Sequence, residues 1–195
     1  MRLAAAGHEV VLGSRDAERA VNVASALGAG RISGASNEDA ASCEIVVVAT
    51  PWDSAVATVR ALREPLAGKI VISMVNALMK EGREMLALYP PRGSMAAQVA
   101  AALPASRIVG AFHHLPASEM ENLDSGLAAD VVIFGDDAEA RTRVEALVNE
   151  MPGLRAVIAG SMSLASAVEA FTAVCISINI RHKAHSYVTL AGLSL

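Results

Sequence analysis

The chain has 195 residues, enough for one domain with a modest appendage, and 53% of them are hydrophobic against 18% charged, which excludes intrinsic disorder. A formal net charge of -4 without any basic cluster argues against nucleic acid as a partner. Aromatic residues are only 3%, so alanine, valine, leucine and isoleucine must fill the core, a usage that suits strands buried on both faces under alanine-rich helices.

In chain order, a helix end at Leu3-Ala4-Ala5-Ala6 closed by Gly7 leads into a strand at His8–Gly13, and Asp16–Leu27 reads as a helix. Asn37–Ala41 is a short helix, and Ser36 with Asp39 forms its capping arrangement. Strands then fall at Glu44–Thr50, Lys69–Val75, Arg107–Phe112, Asp130–Gly135 and Leu154–Ala159, each bounded by glycine, proline or polar residues. Helices lie between them at Asp53–Leu62, Met95–Leu103 and Asp137–Glu150, the last started by Asp136-Asp137, where the dipole favours negative charge. Ser161 to Ile180 is mostly apolar but carries Glu169, several serines and Asn179, all costly in a bilayer core. Leu164, Val168, Phe171, Cys175 and Ile178 recur at spacings of three and four, so this stretch is expected to be a buried or dimer-forming helix and not a membrane span. Cys43 and Cys175 have no metal-ligand spacing around them and read as reduced core thiols.

Strands alternating with helices imply parallel pairing through right-handed crossovers. The expected fold is α/β: a Rossmann-like, doubly wound, mostly parallel sheet with a small C-terminal helical portion, divided as residues 1–150 and 151–195. In a sheet ordered 3-2-1-4-5-6 the first strand lies between the second and the fourth. No strand or glycine-rich turn precedes Gly7, so roughly 15–20 residues are expected to be missing, with Met1 an internal methionine or a misplaced start.

The loop after the second strand of a dinucleotide-binding unit meets the adenosine ribose; an acidic residue there suits a free 2′-hydroxyl, an arginine a 2′-phosphate. Ser14-Arg15, with Arg19 one helical turn on, therefore reads as a site for NADP; the alternative is a serine helix cap followed by solvated charges. Thr50-Pro51-Trp52 ends the strand at Ile45–Ala49, where ligands of open parallel sheets lie; it either borders that crevice or is a plain turn with tryptophan packed on the sheet. Asn76 ends the strand at Ile70–Val75, and its amide could reach a ribose or a nicotinamide. His113-His114 follows Ile108–Phe112; one imidazole is expected to meet substrate and the other to point into the core. Adjacent histidines without a third ligand make no metal site, and His182 and His185 read as surface residues. No Gly-x-Ser-x-Gly nucleophile motif occurs, and hydride transfer needs none, because the cofactor carries the chemistry.

Several segments together resemble the NADPH-dependent coenzyme F420 reductases, also called F420H2:NADP+ oxidoreductases. They are Leu3-Ala4-Ala5-Ala6-Gly7-His8-Glu9-Val10-Val11-Leu12-Gly13-Ser14-Arg15, Thr50-Pro51-Trp52, Phe112-His113-His114-Leu115-Pro116, Gly135-Asp136-Asp137, and Gly153-Leu154-Arg155 with Ala159-Gly160. The similarity covers essentially the whole chain. It implies direct hydride transfer between C5 of a deazaflavin and C4 of nicotinamide by a cytoplasmic homodimer that positions its cofactors without a catalytic side chain. By the resemblance, Ser14, Arg15 and Arg19 hold the NADP 2′-phosphate. Thr50, Pro51 and Trp52 border the nicotinamide half, and His113 with Leu115 faces the deazaflavin of coenzyme F420. The family's Gly-Gly-Thr-Gly-type turn for the pyrophosphate has no counterpart in this sequence. Two other readings remain at this stage: another NADP-dependent reductase on the same scaffold, acting on an imine or a ferric chelate, and a truncated, non-catalytic binding or oligomerisation protein.

Overall fold

The computed structural model describes residues 1–28 and 30–193. At its centre is β4 (Ile70–Ser73), buried at every position. It pairs in parallel with β3 (Ile45–Val48) on one side and β7 (Arg107–Gly110) on the other. Because successive strand side chains point to opposite faces, Ile70 and Ile72 enter one core and Val71 the other. The first core is closed by Ala140, Val144 and Val148 of α7 (Ala138–Asn149). The second is closed by Val59 of α4 (Trp52–Ala61) and Val99 of α5 (Met95–Ala102). Two apolar layers on one sheet are what a doubly wound fold requires.

The sheet continues through β8 (Ala129–Phe134) to β9 (Leu154–Gly160), parallel to each other. β8 is antiparallel to β7, meeting it at Gly110 and Phe134, which departs from uniform parallel pairing. The connection before β8 contains only the five-residue α6 (Ala117–Glu121), and a parallel return needs an element able to cross the sheet. The C-terminal portion expected over 151–195 begins with β9, a strand of this same sheet. Only α8 (Ala165–His182), preceded by a short 3-10 turn, and the tail after it stand apart. The tail returns to β8: the Asp130 amide donates to Val188 O at 2.9 Å, and the Asp130 carboxylate, doubly bonded to Arg155, accepts from the Leu190 amide.

A second, two-stranded parallel sheet is formed by β1 (Val10–Ser14) and β2 (Ile32–Ser36) over five register pairs. Its α2 (Ala17–Leu27) starts on Asp16, whose carboxylate accepts from the Arg19 amide at 3.1 Å, and stops at Gly28 with φ +64°. The strand order is β1-β2 in one sheet and β3-β4-β7-β8-β9 in the other, so the expected single sheet is divided. Among the described residues no strand pairs with the outer edge of β1 or of β3. Both edges line one cleft of about 720 Å³, bordered by Val10–Gly13 and Ile45–Thr50. The short α1 (Arg2–Ala5) is tied across to the main body by buried Arg2, whose guanidinium donates to Pro152 O, Glu119 O and Asn122 O.

Two elements lack a sequence signal. β2 reads Ile-Ser-Gly-Ala-Ser, without an apolar run. The hairpin β5 (Leu78–Glu81) and β6 (Glu84–Ala87), turning at Gly82, is largely exposed and packs on α8, where Ser177 Oγ accepts from the Met85 amide at 2.8 Å. α8 itself is oriented differently from its apolar periodicity. Phe171 and Ile178, with Val174, face outward at 43–48% exposure, while Ala165, Glu169, Thr172, Ala173 and Cys175 are buried. The exposed stripe is available to a partner; the inward face sets Glu169 and Thr172 among small apolar residues.

β2 crosses α2 so closely at Gly34 that a Cβ there would overlap the backbone of Ala20 and Val21. Gly34→Ala is therefore expected to cost about 1–3 kcal/mol by overpacking, measured as a lower denaturant midpoint. An unchanged midpoint would show that the β2–α2 contact is looser than described.

Candidate functional site

In an open parallel sheet the loops leaving the carboxyl ends of the strands border the ligand crevice. Val48, Ser73 and Gly110 stand side by side as the last residues of β3, β4 and β7, so Thr50, Asn76 and His113 fall along one edge. Ser14 is the last residue of β1 in the separate sheet.

Ser14 is not the helix cap; Asp16 is. Ser14 Oγ accepts from the Asp16 amide at 3.1 Å, and a hydroxyl so engaged retains its own proton to donate. Arg15 and Arg19 are exposed, and neither belongs to any ion pair found among the described residues. Because Asp16 occupies the N-terminus of α2, an anion bound here has to be held by side chains and not by the helix dipole. A serine hydroxyl with two uncommitted guanidinium groups fits a phosphate monoester.

Pro51 stands at the N-cap of α4, and Trp52, its first residue, is 40% exposed and not packed on the sheet. Thr50 Oγ1 and Ser73 Oγ are both buried without a hydrogen-bond partner. A buried hydroxyl left unpaired is costly, so two at adjacent strand ends mark places where a ligand's polar groups would be satisfied. Asn76 is half-buried. Its Nδ2 faces Met74 O at 3.5 Å and His113 O at 3.4 Å, and its Oδ1 accepts from Thr172 Oγ1 at 3.1 Å.

Both histidines of the pair are buried, at 5% and 8% exposure, so the expected split, one inward and one toward substrate, is not what the fold produces. Phe112, between Ala111 and His113, has φ +67°, a left-handed conformation that is strained for a bulky residue; it turns the chain inward after β7. His113 then stacks on Phe134, with ring centroids 5.4 Å apart, and neither of its ring nitrogens finds a partner. Burial, helped by neighbouring His114, lowers its pKa to about 3, so the ring is neutral at neutral pH. Phe134 itself lies across β7 because position 110 is glycine; a Cβ there would penetrate the ring. His114 Nε2 lies 2.8 Å from Val168 O, which fixes the proton on that nitrogen. Burial lowers its pKa as well, opposed by that bond. Leu115 is half-buried beside this core.

Three residues of this edge have no sequence motif of their own: Ser73, Glu169 and Thr172. Glu169 is 6% exposed, and its two carboxyl oxygens accept from the Met95 and Ala96 amides at 2.6 and 2.8 Å. With Ser94 accepting from the Ala97 amide, the first turn of α5 is fully capped. The available signal is Glu169 and Thr172, polar residues three apart within a mostly apolar helix; of the two, only Glu169 counts against a membrane span.

Fold and crevice define a Rossmann-like nucleotide-binding protein. Residues 1–77 match the family described as NADP oxidoreductase, coenzyme F420-dependent. The chain is 31% identical over 190 residues to the F420-dependent NADP reductase of Methanocaldococcus jannaschii, covering 92% of this chain and 85% of that one. It is 30% identical over 194 residues to the enzyme of the same name from Methanothermobacter thermautotrophicus, covering 94% and 84%. A crystal structure from Arthrobacter sp. FB24, provisionally assigned as an F420-dependent NADP-reductase, superposes with a TM-score of 0.82 at 26% identity, covering 95% of this chain and 89% of that chain. The chain belongs to the F420-dependent NADP reductase family.

Two of the buried titrating groups, Glu169 and His113, have opposite effects on stability. Burial pushes the Glu169 pKa up from 4.5 to about 7, against the pull of its two amide donors, so its contribution is complete below pH 4.5 and is lost as pH rises to 7. His113, depressed from 6.5 to about 3, contributes fully above pH 6.5 and loses that contribution on acidification. Glu169→Gln removes the first slope and keeps the second. Its stability deficit relative to the wild type should therefore shrink as pH rises from 4.5 to 7, read from denaturant midpoints. Parallel profiles would mean that Glu169 is ionised throughout.

Proposed function

We propose that this chain, an NADP-dependent oxidoreductase, transfers a hydride between NADP(H) and the deazaflavin coenzyme F420. The observation that supports the NADP half is the end of β1, where the Ser14 hydroxyl keeps its proton free to donate and Arg15 and Arg19 are exposed, outside the ion pairs found among the described residues. The F420 half rests on family membership and whole-chain similarity to reductases that carry that coenzyme in their names. When bound, nicotinamide and deazaflavin supply the redox chemistry between C4 of one ring and C5 of the other.

The protein's own part is to bind, orient and exclude water. Ser14, Arg15 and Arg19 hold the 2′-phosphate and select NADP over NAD. Thr50, Pro51, Trp52 and Asn76 border the nicotinamide half; the unpaired Thr50 hydroxyl and the Asn76 carboxamide supply the polar contacts there, and exposed Trp52 offers a ring face. His113 and Leu115 stand behind the deazaflavin as apolar wall. A neutral His113 adds no charge beside the path of the hydride. No side chain is assigned a covalent or acid–base step. Residues 1–150 are the NADP-binding part, and 151–195 contribute to the deazaflavin side and to association.

The state we propose is a cytoplasmic homodimer that binds small-molecule cofactors and neither nucleic acid nor a membrane. α8 with its preceding turn, Met162–His182, is long and apolar enough to cross a bilayer by length and composition. Its buried face is nonetheless committed to α5 and the crevice loops by Glu169 and Thr172. Its outward stripe of Phe171, Val174 and Ile178 suits a second copy of the chain.

Mixing the protein with NADPH and oxidised F420 should bleach the deazaflavin absorbance, and no loss of absorbance would overturn the reading. Arg15→Ala should weaken NADPH binding roughly ten-fold or more, as a lost charge-assisted hydrogen bond does, and leave NADH unchanged; equal losses would defeat the phosphate assignment. Val174→Glu should shift the sedimenting species from dimer to monomer, and an unaltered mass would remove α8 from the interface.

A further inference from the structure

The carboxyl edge of the sheet is held from behind by a third element. Three residues on α8 grip it: Val168 O binds the His114 ring, the Glu169 carboxyl caps α5, and Thr172 reaches the junction of the loops leaving β4 and β7. At that junction Thr172, 4% exposed, has its hydroxyl 3.1 Å from Asn76 Oδ1 and 3.3 Å from His113 O. A threonine has one proton to give, and the shorter contact is to Asn76. The other bonds of that carboxamide, from Nδ2 to Met74 O and His113 O, are at 3.5 and 3.4 Å, long for hydrogen bonds.

We infer that Thr172 is a positioning residue for the nicotinamide half of the crevice. Its hydroxyl, donating to Oδ1, holds the Asn76 carboxamide in the orientation that the Met74 and His113 carbonyls select. The argument rests on the placing of Asn76 at the nicotinamide half and adds what makes that residue competent. An asparagine offers a donor and an acceptor at opposite corners, and a half-turn of the amide exchanges them. The two long bonds from Nδ2 hold it weakly. The carbonyls of Met74 and His113, which only accept, keep Nδ2 on their side, and the shorter bond that Thr172 donates to Oδ1 holds the group there. Thr172 is itself fixed: Glu169, three residues earlier on the same buried face, ties α8 to the first turn of α5 through two backbone amides. Orientation thus passes from α5 through α8 to Asn76, a supporting shell behind a contact residue. The ligand it serves is one that presents an acceptor and a donor together, the pattern of a primary carboxamide or a ribose diol.

The test compares Thr172→Val, which removes the hydroxyl at nearly constant volume, with Thr172→Ser, which keeps it, each in the full chain. In 15N-labelled protein without cofactor, the Asn76 side-chain amide pair should move and exchange faster with water in the valine variant and return in the serine variant. NADPH titration should give a dissociation constant raised roughly five-fold by valine, the size expected of one neutral hydrogen bond, and restored by serine. In an Asn76→Ala background the valine substitution should have no further effect. Additive losses, or an unmoved Asn76 amide, would overturn the proposal and leave Thr172 a packing residue. If Asn76→Ala alone leaves NADPH affinity unchanged, the proposal falls with the assignment of Asn76, whereas the discrimination by Arg15 stands or falls separately. Should valine disturb folding, Thr172→Ala removes the hydroxyl without added bulk and gives the same comparison.

Discussion

The contact on which the crevice depends is the grip of one helix on backbone groups that the sheet cannot satisfy. Parallel strands end together, and their last polar groups, with the first amides of the next helix, are left without ladder partners. Here α8 supplies many of those partners. Its Glu169 carboxyl takes two amides of α5, its Thr172 hydroxyl serves the loops after β4 and β7, and its own main chain accepts from His114. A helix with an apolar average therefore places its few polar residues on the inward side. A buried carboxyl is tolerated because both oxygens are hydrogen-bonded.

Around this grip the shape is set by close approaches. Gly110 lets the Phe134 ring lie over the end of β7, and that ring gives His113 a face to stack on. The imidazole is thereby held neutral, inside an apolar wall. Two histidines that look like chemistry in the sequence are thus both buried, one stacked on Phe134 and the other bonded to Val168 O. In the function proposed above, the polarity of the site comes instead from Ser14, Arg15 and Arg19 at one end and from Thr50, Ser73 and Asn76 at the other.

Much of the fold was legible because its signals are local. The strands rich in valine and isoleucine, among them Ile45–Val48 and Ile70–Ser73, are apolar runs punctuated by turns, and the caps at Ser36 and Asp137 lie where their side chains indicate. What was not legible depends on distant partners. β2 carries serine, glycine and alanine because α2 lies against it at Gly34. The antiparallel entry of β8 follows from a connection without a crossing helix, not from anything in Ala129–Phe134 itself. Ser14, Arg15 and Thr50 could be singled out as candidates because a strand end in an α/β sheet is where ligands of that fold lie. Thr172 and Glu169 could not, since each acts across a sequence separation of 59 or more residues.

The facing borders of β1 and β3 have a consequence for how the two sheets can be joined. Val10–Leu12 and Ile45–Val48 are short, apolar and free of proline and charge, and shortness is one of the ways in which sheet margins avoid foreign partners. Their rows of amide and carbonyl groups line a cleft about 720 Å³ in volume, one row from each sheet. An extended segment entering that cleft would meet both ladders at once and knit the two sheets into a single one.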